Sequence, residues 1–212
     1  MSSIVKKFVM AVSGAAMVFF LLFHALMNVV SIFSESGYEA VCEFLGANWY
    51  AVIGTICIAA LMAVHLVFAF VLSWQNYKSR GSDRYAVVAE NEGVTWASRN
   101  MLVIGFIVII GLALHLCNFW YKMQWSELCG NEPMSGIQLI KNTFSNTYFS
   151  CCYIGWLFFI YLHLSHGISS LMQSIGWNNE VWEKRITAIA KILSALITIM
   201  LVSVVVYYWI IY

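Results

Sequence analysis

The sequence predicts an all-α integral membrane protein, one domain spanning residues 1–212 with five transmembrane helices, and three observations predict it. Hydrophobic residues fill 62% of the 212 positions and charged residues 10%, against about 25% charged in an ordinary soluble domain. Mean hydropathy is +0.80. The apolar residues gather into five runs, 8–33, 49–74, 101–121, 147–172 and 188–212, each long enough for a hydrocarbon core that takes about 20 helical residues. This composition leaves too little polar surface for a water-soluble domain, and no linker is long enough to attach one.

Each run has its own marks. The first follows Lys6 and Lys7 and carries Ser13-Gly14-Ala15-Ala16 and His24. It is too long for a cleaved signal peptide and lacks a small-residue cleavage pattern at its end. The second carries Gly54 and His65 and runs out into Lys78, Arg80 and Arg84. The third starts after Arg99 and holds Gly105, Gly111 and His115; the fourth holds Gly155, His163 and His166. The fifth has no histidine and begins among Lys184, Arg185 and Lys191, so it serves as a packing wall rather than a ligand donor. Between runs one and two lie Glu35, Glu39 and Glu43 with no basic residue, and between runs three and four only Lys122 and Lys141 are basic. By the positive-inside rule the N-terminus is cytoplasmic and the C-terminus outside. Trp49, Trp74, Trp96, Trp120, Trp125, Trp177 and Trp182 lie near the run ends, where amphipathic rings prefer the interface.

An ionisable or metal-binding group inside a bilayer is costly and usually functional. Depth sorts the histidines into pairs. At 1.5 Å per residue, His24 and His115 lie roughly 5–6 Å past the middle of outward-running helices, whereas His65 and His163 lie roughly 4–5 Å to the cytoplasmic side. His24 therefore pairs with His115 and His65 with His163, in two layers roughly 10 Å apart. Four imidazoles so arranged suit two bis-histidine haems. His166 lies one turn beyond His163 on nearly the same face. Depth symmetry with His65 favours His163 as ligand and leaves His166 as the alternative, or as a contact to a haem propionate.

Other chemistries fit less well. No Asp or Glu lies near the midplane to complete a non-haem iron or zinc shell. No helix carries two histidines 13–14 residues apart, as a cytochrome b of the complex III kind would. The six cysteines form no CxxC; Cys42 and Cys129, both in outside loops, are candidates for a disulfide. Small residues in the helices allow a macrocycle or another helix to come close. Polar groups near helix ends are candidates for steadying propionates or a quinone headgroup: Ser13, Arg99, Lys191, Tyr77, Asn28 and Trp96. Arg99 and Lys191 belong with the inner haem and Asn28 with the outer one.

These residues resemble the dihaem cytochrome b membrane anchor of the succinate dehydrogenase and fumarate reductase family, in its single-polypeptide five-helix form. The marks are Ser13-Gly14 followed by Phe23-His24 and Asn28, His65 with Asn76-Tyr77 and Arg80-Gly81, His115-Leu116 with Phe119-Trp120, and HLSHGISSLMQSIGW over 163–177. The resemblance implies one haem ligand on each of the first four helices, at His24, His65, His115 and the fourth-helix position. Some relatives have a glycine thirteen residues after the fourth ligand, matching His163 and Gly176; others have the ligand directly before a glycine, matching His166-Gly167. It further implies a flavoprotein carrying FAD and an iron–sulfur subunit on the cytoplasmic face, two haem b groups, and menaquinone as substrate near the outer haem. A prokaryotic cytoplasmic membrane location and a dimer of the whole complex go with that picture. Glu39 and Glu43 are the candidate outer-side acids handling quinone protons. The membrane-embedded glutamate that some fumarate reductases carry two residues before the fourth ligand is replaced here by Tyr161 or Leu164, so a proton path of that type is not expected. Two alternatives remain open: the cytochrome b subunit of a membrane hydrogenase or formate dehydrogenase, and a histidine-bearing transporter without haem.

Overall fold

Nearly all of the described chain is helical because apolar segments of this length satisfy their backbone hydrogen bonds internally. The computed structural model describes residues 2–79, 96–177, 179 and 181–212; Arg80, Gly81 and Arg84 lie outside them. Helix α1 (Ser3–Phe33) starts at Ser2, whose hydroxyl accepts from Val5 N at 3.3 Å. Ser34 ends α1 by donating its N–H to Val30 O and opens α2 (Glu35–Phe44) by accepting from Gly37 N at 3.0 Å. Helix α3 spans Trp49–Ser79, followed by the short α4 (Trp96–Arg99). Helix α5 (Met101–His115) passes into a π-helix (Leu116–Trp125) and then α6 (Ser126–Leu128). After the chain's single proline, Pro133, come α7 (Gly136–Phe144), α8 (Thr147–Ser174) and α9 (Glu183–Ile211).

Five helical rods, α1, α3, α5 through α6, α8 and α9, are long and apolar enough to cross a membrane. They are the five runs, lengthened. Helix α3 continues to Ser79, the third rod reaches Leu128, and α9 begins at Glu183. Hydropathy marks only the apolar stretch, whereas the backbone ladder continues through polar residues at the ends. Two segments between runs hold helices of their own, α2 and α7, each capped by a serine, Ser34 and Ser135. Glu39 strengthens the second cap: its carboxylate accepts from Ser135 Oγ and, at 3.0 Å, from Ile137 N. An acid at a helix N-terminus satisfies free N–H groups and opposes the positive end of the dipole.

Helix α8 packs along α9, and α1 packs along α3, α8 and α9, with α5 against α8. Ala25, Ala190, Ile197 and Tyr208 are fully buried in the cluster joining α1, α8 and α9. The alanines let backbones approach, and Tyr208 donates its hydroxyl to Ser31 O at 2.9 Å. At the end where α2 and α7 meet, Lys141 pairs with Glu35 at 2.6 Å, Tyr212 donates to Glu35 at 3.2 Å, and the Lys141 ammonium lies 4.6 Å from the Tyr212 ring centre. The Lys141 hydrogen bond holds Glu35 below the usual carboxylate range, and Glu35 in turn raises Lys141. Both are charged at neutral pH, so the pair clamps the C-terminus to the α1–α2 corner.

Helix α3 packs on one side only. It lies along α1 and has no buried residue. It reaches the third rod through the Thr55–Gln124 hydrogen bond and the Phe70–Phe106 ring contact. The space left between it and α5 and α8 is the cavity described next.

Candidate functional site

A cavity of about 1940 Å³ runs between α1, α3, α5 and α8, with α9 contributing only Leu201, Val204 and Val205 to its wall. Ordinary small-molecule pockets occupy about 300–1,000 Å³, so this one has room for something larger or for two occupants. All five histidines line it. Four of them meet in twos; among the described residues no group of three or more His, Cys, Asp or Glu is placed to hold a metal ion. His24 on α1 faces His115 at the end of α5, with ring centroids 5.8 Å apart and planes at 88°. His65 on α3 faces His163 on α8, at 6.3 Å and 60°. These are the neighbours that depth along the helices predicts. Two imidazoles binding one metal ion from opposite sides, with metal–nitrogen bonds of about 2.0 Å, hold their centroids about 6.3 Å apart. His65 and His163 stand at that spacing, and His24 and His115 somewhat closer.

The two pairs sit in different surroundings. Around His65, Ser13 Oγ lies 3.3 Å from Nδ1, and a Cβ added at Gly14 would meet the ring at 3.4 Å, in van der Waals contact. The Nδ1 of His163 is buried with no hydrogen-bond partner among the described residues. Such orphans are uncommon and call for a missing group. His24 stacks on Phe20 at 5.7 Å and takes a 3.2 Å hydrogen bond at Nε2 from the Asn28 amide, which itself accepts from the Tyr38 hydroxyl at 3.4 Å. His115 is boxed by Phe119, Trp156 and Tyr153, at 5.1, 5.8 and 6.2 Å. Gly111, one turn before it, makes the box: a Cβ there would overlap the Trp156 indole. That indole donates to Val108 O at 3.1 Å.

The π-helix begins at the residue after His115, a placement common at functional sites. It directs Gln124 inward, where Oε1 accepts from Thr55 Oγ1 at 2.9 Å and from Trp120 Nε1 at 2.7 Å, and Nε2 donates to Gly46 O at 3.0 Å. This knot ties α3, the third rod and the turn before α3. Sequence reading missed Gln124, because its inward position depends on the π register.

The remaining candidates divide. Asn28 lines the cavity and holds His24 directly. Ser13 lies behind His65, outside the wall. Arg99 and Lys191 are exposed and do not line the cavity; the one basic side chain in the wall among the described residues is Lys7, at the end away from α2 and α7. The opposite mouth is acidic, with Glu39, Glu43 and Glu127. Glu39 is committed to capping α7, and Glu127 accepts from Ala47 N at 2.9 Å. Glu43 has no side-chain hydrogen bond or ion pair among the described residues. His166 lines the cavity but belongs to neither ring pair. The Cys42–Cys129 disulfide is corrected: both are free thiols. Burial pushes the Cys42 thiol up to about 11 and raises the neighbouring Tyr38 hydroxyl as well.

No family model matches the chain, and no match appears among curated proteins or solved structures. Fold and cavity by themselves define a five-rod helical bundle built around two facing pairs of imidazole donors.

Proposed function

We propose that this chain is a dihaem cytochrome b, the membrane anchor and electron carrier of a succinate:quinone oxidoreductase in a prokaryotic cytoplasmic membrane. The observation that carries the reading is the two facing histidine pairs within one long cavity. The residues fit the group: each pair offers two imidazole nitrogens that would hold one haem iron, His65 and His163 face each other at 6.3 Å with His163 Nδ1 buried and unpartnered among the described residues, and His24 and His115 face each other at 5.8 Å with His24 Nε2 hydrogen-bonded to Asn28. His24 and His115 would hold the outer haem, and His65 and His163 the inner one. Bound haem supplies one-electron transfer; the chain's part is to fix the axial rings, exclude water and set their hydrogen bonds. Basic residues at the α1 start and the α9 start support a cytoplasmic N-terminus and an outside C-terminus. Lys7, not Arg99 or Lys191, is then the cation placed for inner propionates. A flavoprotein with FAD and an iron–sulfur subunit would dock at that face, and menaquinone would react at the acidic outer mouth. The purified chain is expected to carry two b-type haems with low-spin spectra by pyridine haemochrome analysis. One haem or a colourless protein refutes the dihaem reading, and co-purification with a nickel or molybdenum subunit would assign it to the hydrogenase or formate dehydrogenase kind.

The two candidate acids make separable predictions. Glu43→Gln is expected to keep both haems and dye-coupled succinate oxidation by the assembled complex, yet slow electron exchange with menaquinone analogues at least tenfold. Glu39→Gln removes the negative charge that accepts from the α7 N-terminus, so its main effect is on stability, about 0.5–2 kcal/mol as for a lost helix cap. Thermal unfolding and quinone turnover measured side by side check both. Quinone turnover untouched by Glu43→Gln would move the site elsewhere.

A further inference from the structure

The two rings of the inner pair have unequal partners, and the inequality has a chemical consequence. Ser13 is almost wholly buried, at 1% exposure. Its hydroxyl donates to Met10 O at 3.0 Å, and its oxygen lies 3.3 Å from His65 Nδ1. A serine hydroxyl has one proton and two lone pairs. With the proton spent on Met10 O, the oxygen can only accept, so the hydrogen between Ser13 and His65 belongs to Nδ1, and the Met10 carbonyl, itself hydrogen-bonded to His65, is a second acceptor beside Ser13. A neutral imidazole with Nδ1–H leaves Nε2 as its bare lone pair. Across the gap, His163 Nδ1 has no acceptor among the described residues.

We propose that Ser13 is a positioning residue of the inner haem site: it holds His65 in the Nδ1–H tautomer with Nε2 as the iron donor, and makes His65 the more electron-rich axial ligand. This rests on the dihaem reading. A hydrogen bond donated from Nδ1–H pushes electron density toward Nε2 and raises ligand basicity. A more basic axial ligand favours the oxidised iron and lowers the potential. Loss of the acceptor therefore raises it.

The test compares Ser13→Ala and Ser13→Thr in the full chain, reading haem content, the midpoint potential of each haem by spectroelectrochemical titration, and the low-spin ferric EPR signals. The haem missing from H65A identifies the inner one. Ser13→Ala is expected to raise the inner potential and alter its EPR signal, to leave the outer haem unchanged, and to weaken inner-haem retention about 10- to 100-fold. Ser13→Thr keeps the hydroxyl and is expected to return the parent potential. If Ser13→Ala holds two haems with the inner potential and signal unmoved, or Ser13→Thr shifts as far as Ser13→Ala, the assignment to Ser13 falls while the dihaem reading stands. A parent chain without haem overturns both.

Discussion

Alanine at His65 or His163 is expected to take the protein from two haems to one, removing the inner haem, and alanine at His24 or His115 to remove the outer one. The rings meet only within their own pairs, at 6.3 Å between α3 and α8 and at 5.8 Å between α1 and α5, so loss of one ligand empties one layer and spares the other. His166→Ala is expected to keep both haems, because that ring enters neither pair. Should H166A abolish the inner haem while H163A retains it, the two roles are exchanged. The pairs also differ in what else they hold. Helix α3 packs closely on α1 and meets the third rod and α8 mainly through side chains. A group bridging His65 and His163 would bind α3 to α8, whereas α1 and α5 have α8 between them as a shared packing partner. Thermal unfolding is therefore expected to fall further for H65A and H163A than for H24A and H115A, read alongside haem content by absorbance.

What was legible in the sequence was periodicity and depth. Five apolar runs, with one histidine in each of the first three and two in the fourth, need only the rise of a helix to become layers, and the facing rings follow. What was not legible depended on the third dimension or on backbone register. Arg99 and Lys191 sit at plausible heights, but height does not say which way a residue faces, and neither lines the cavity that Lys7 borders. Glu39 and Glu43 are four residues apart on α2 and look alike in sequence. Both reach the cavity mouth, and only the position of the α7 N-terminus separates the capping carboxylate of Glu39 from that of Glu43. Gln124 faces inward because the chain winds as a π-helix after His115, a change of register that an apolar run does not announce.

Gly111 supplies the second large effect. As one of several glycines in apolar helices it reads as a small residue that eases packing; the structure gives it one neighbour in particular, the Trp156 indole, which occupies the space a Cβ would need. In a helix interior, alanine for glycine would by itself favour stability by about 0.5–1 kcal/mol. Here the added methyl must displace a large ring, and overpacking a tight contact costs about 1–3 kcal/mol. The displaced indole also loses its hydrogen bond to Val108 O, a further loss of about 1 kcal/mol. The balance is destabilising, and Gly111→Ala is expected to lower the thermal midpoint. Because Trp156 also packs on His115, the outer haem's EPR signal should change while the inner one's does not. Trp156→Ala takes away the atoms that the methyl meets, Cγ, Cδ1 and Nε1. The added methyl is accordingly expected to cost less in the Trp156→Ala background than in the parent, the non-additivity that contacting residues show. Equal stability of Gly111→Ala and the parent would mean that α5 and α8 can part without cost, and would remove the close contact from the account of how His115 is held.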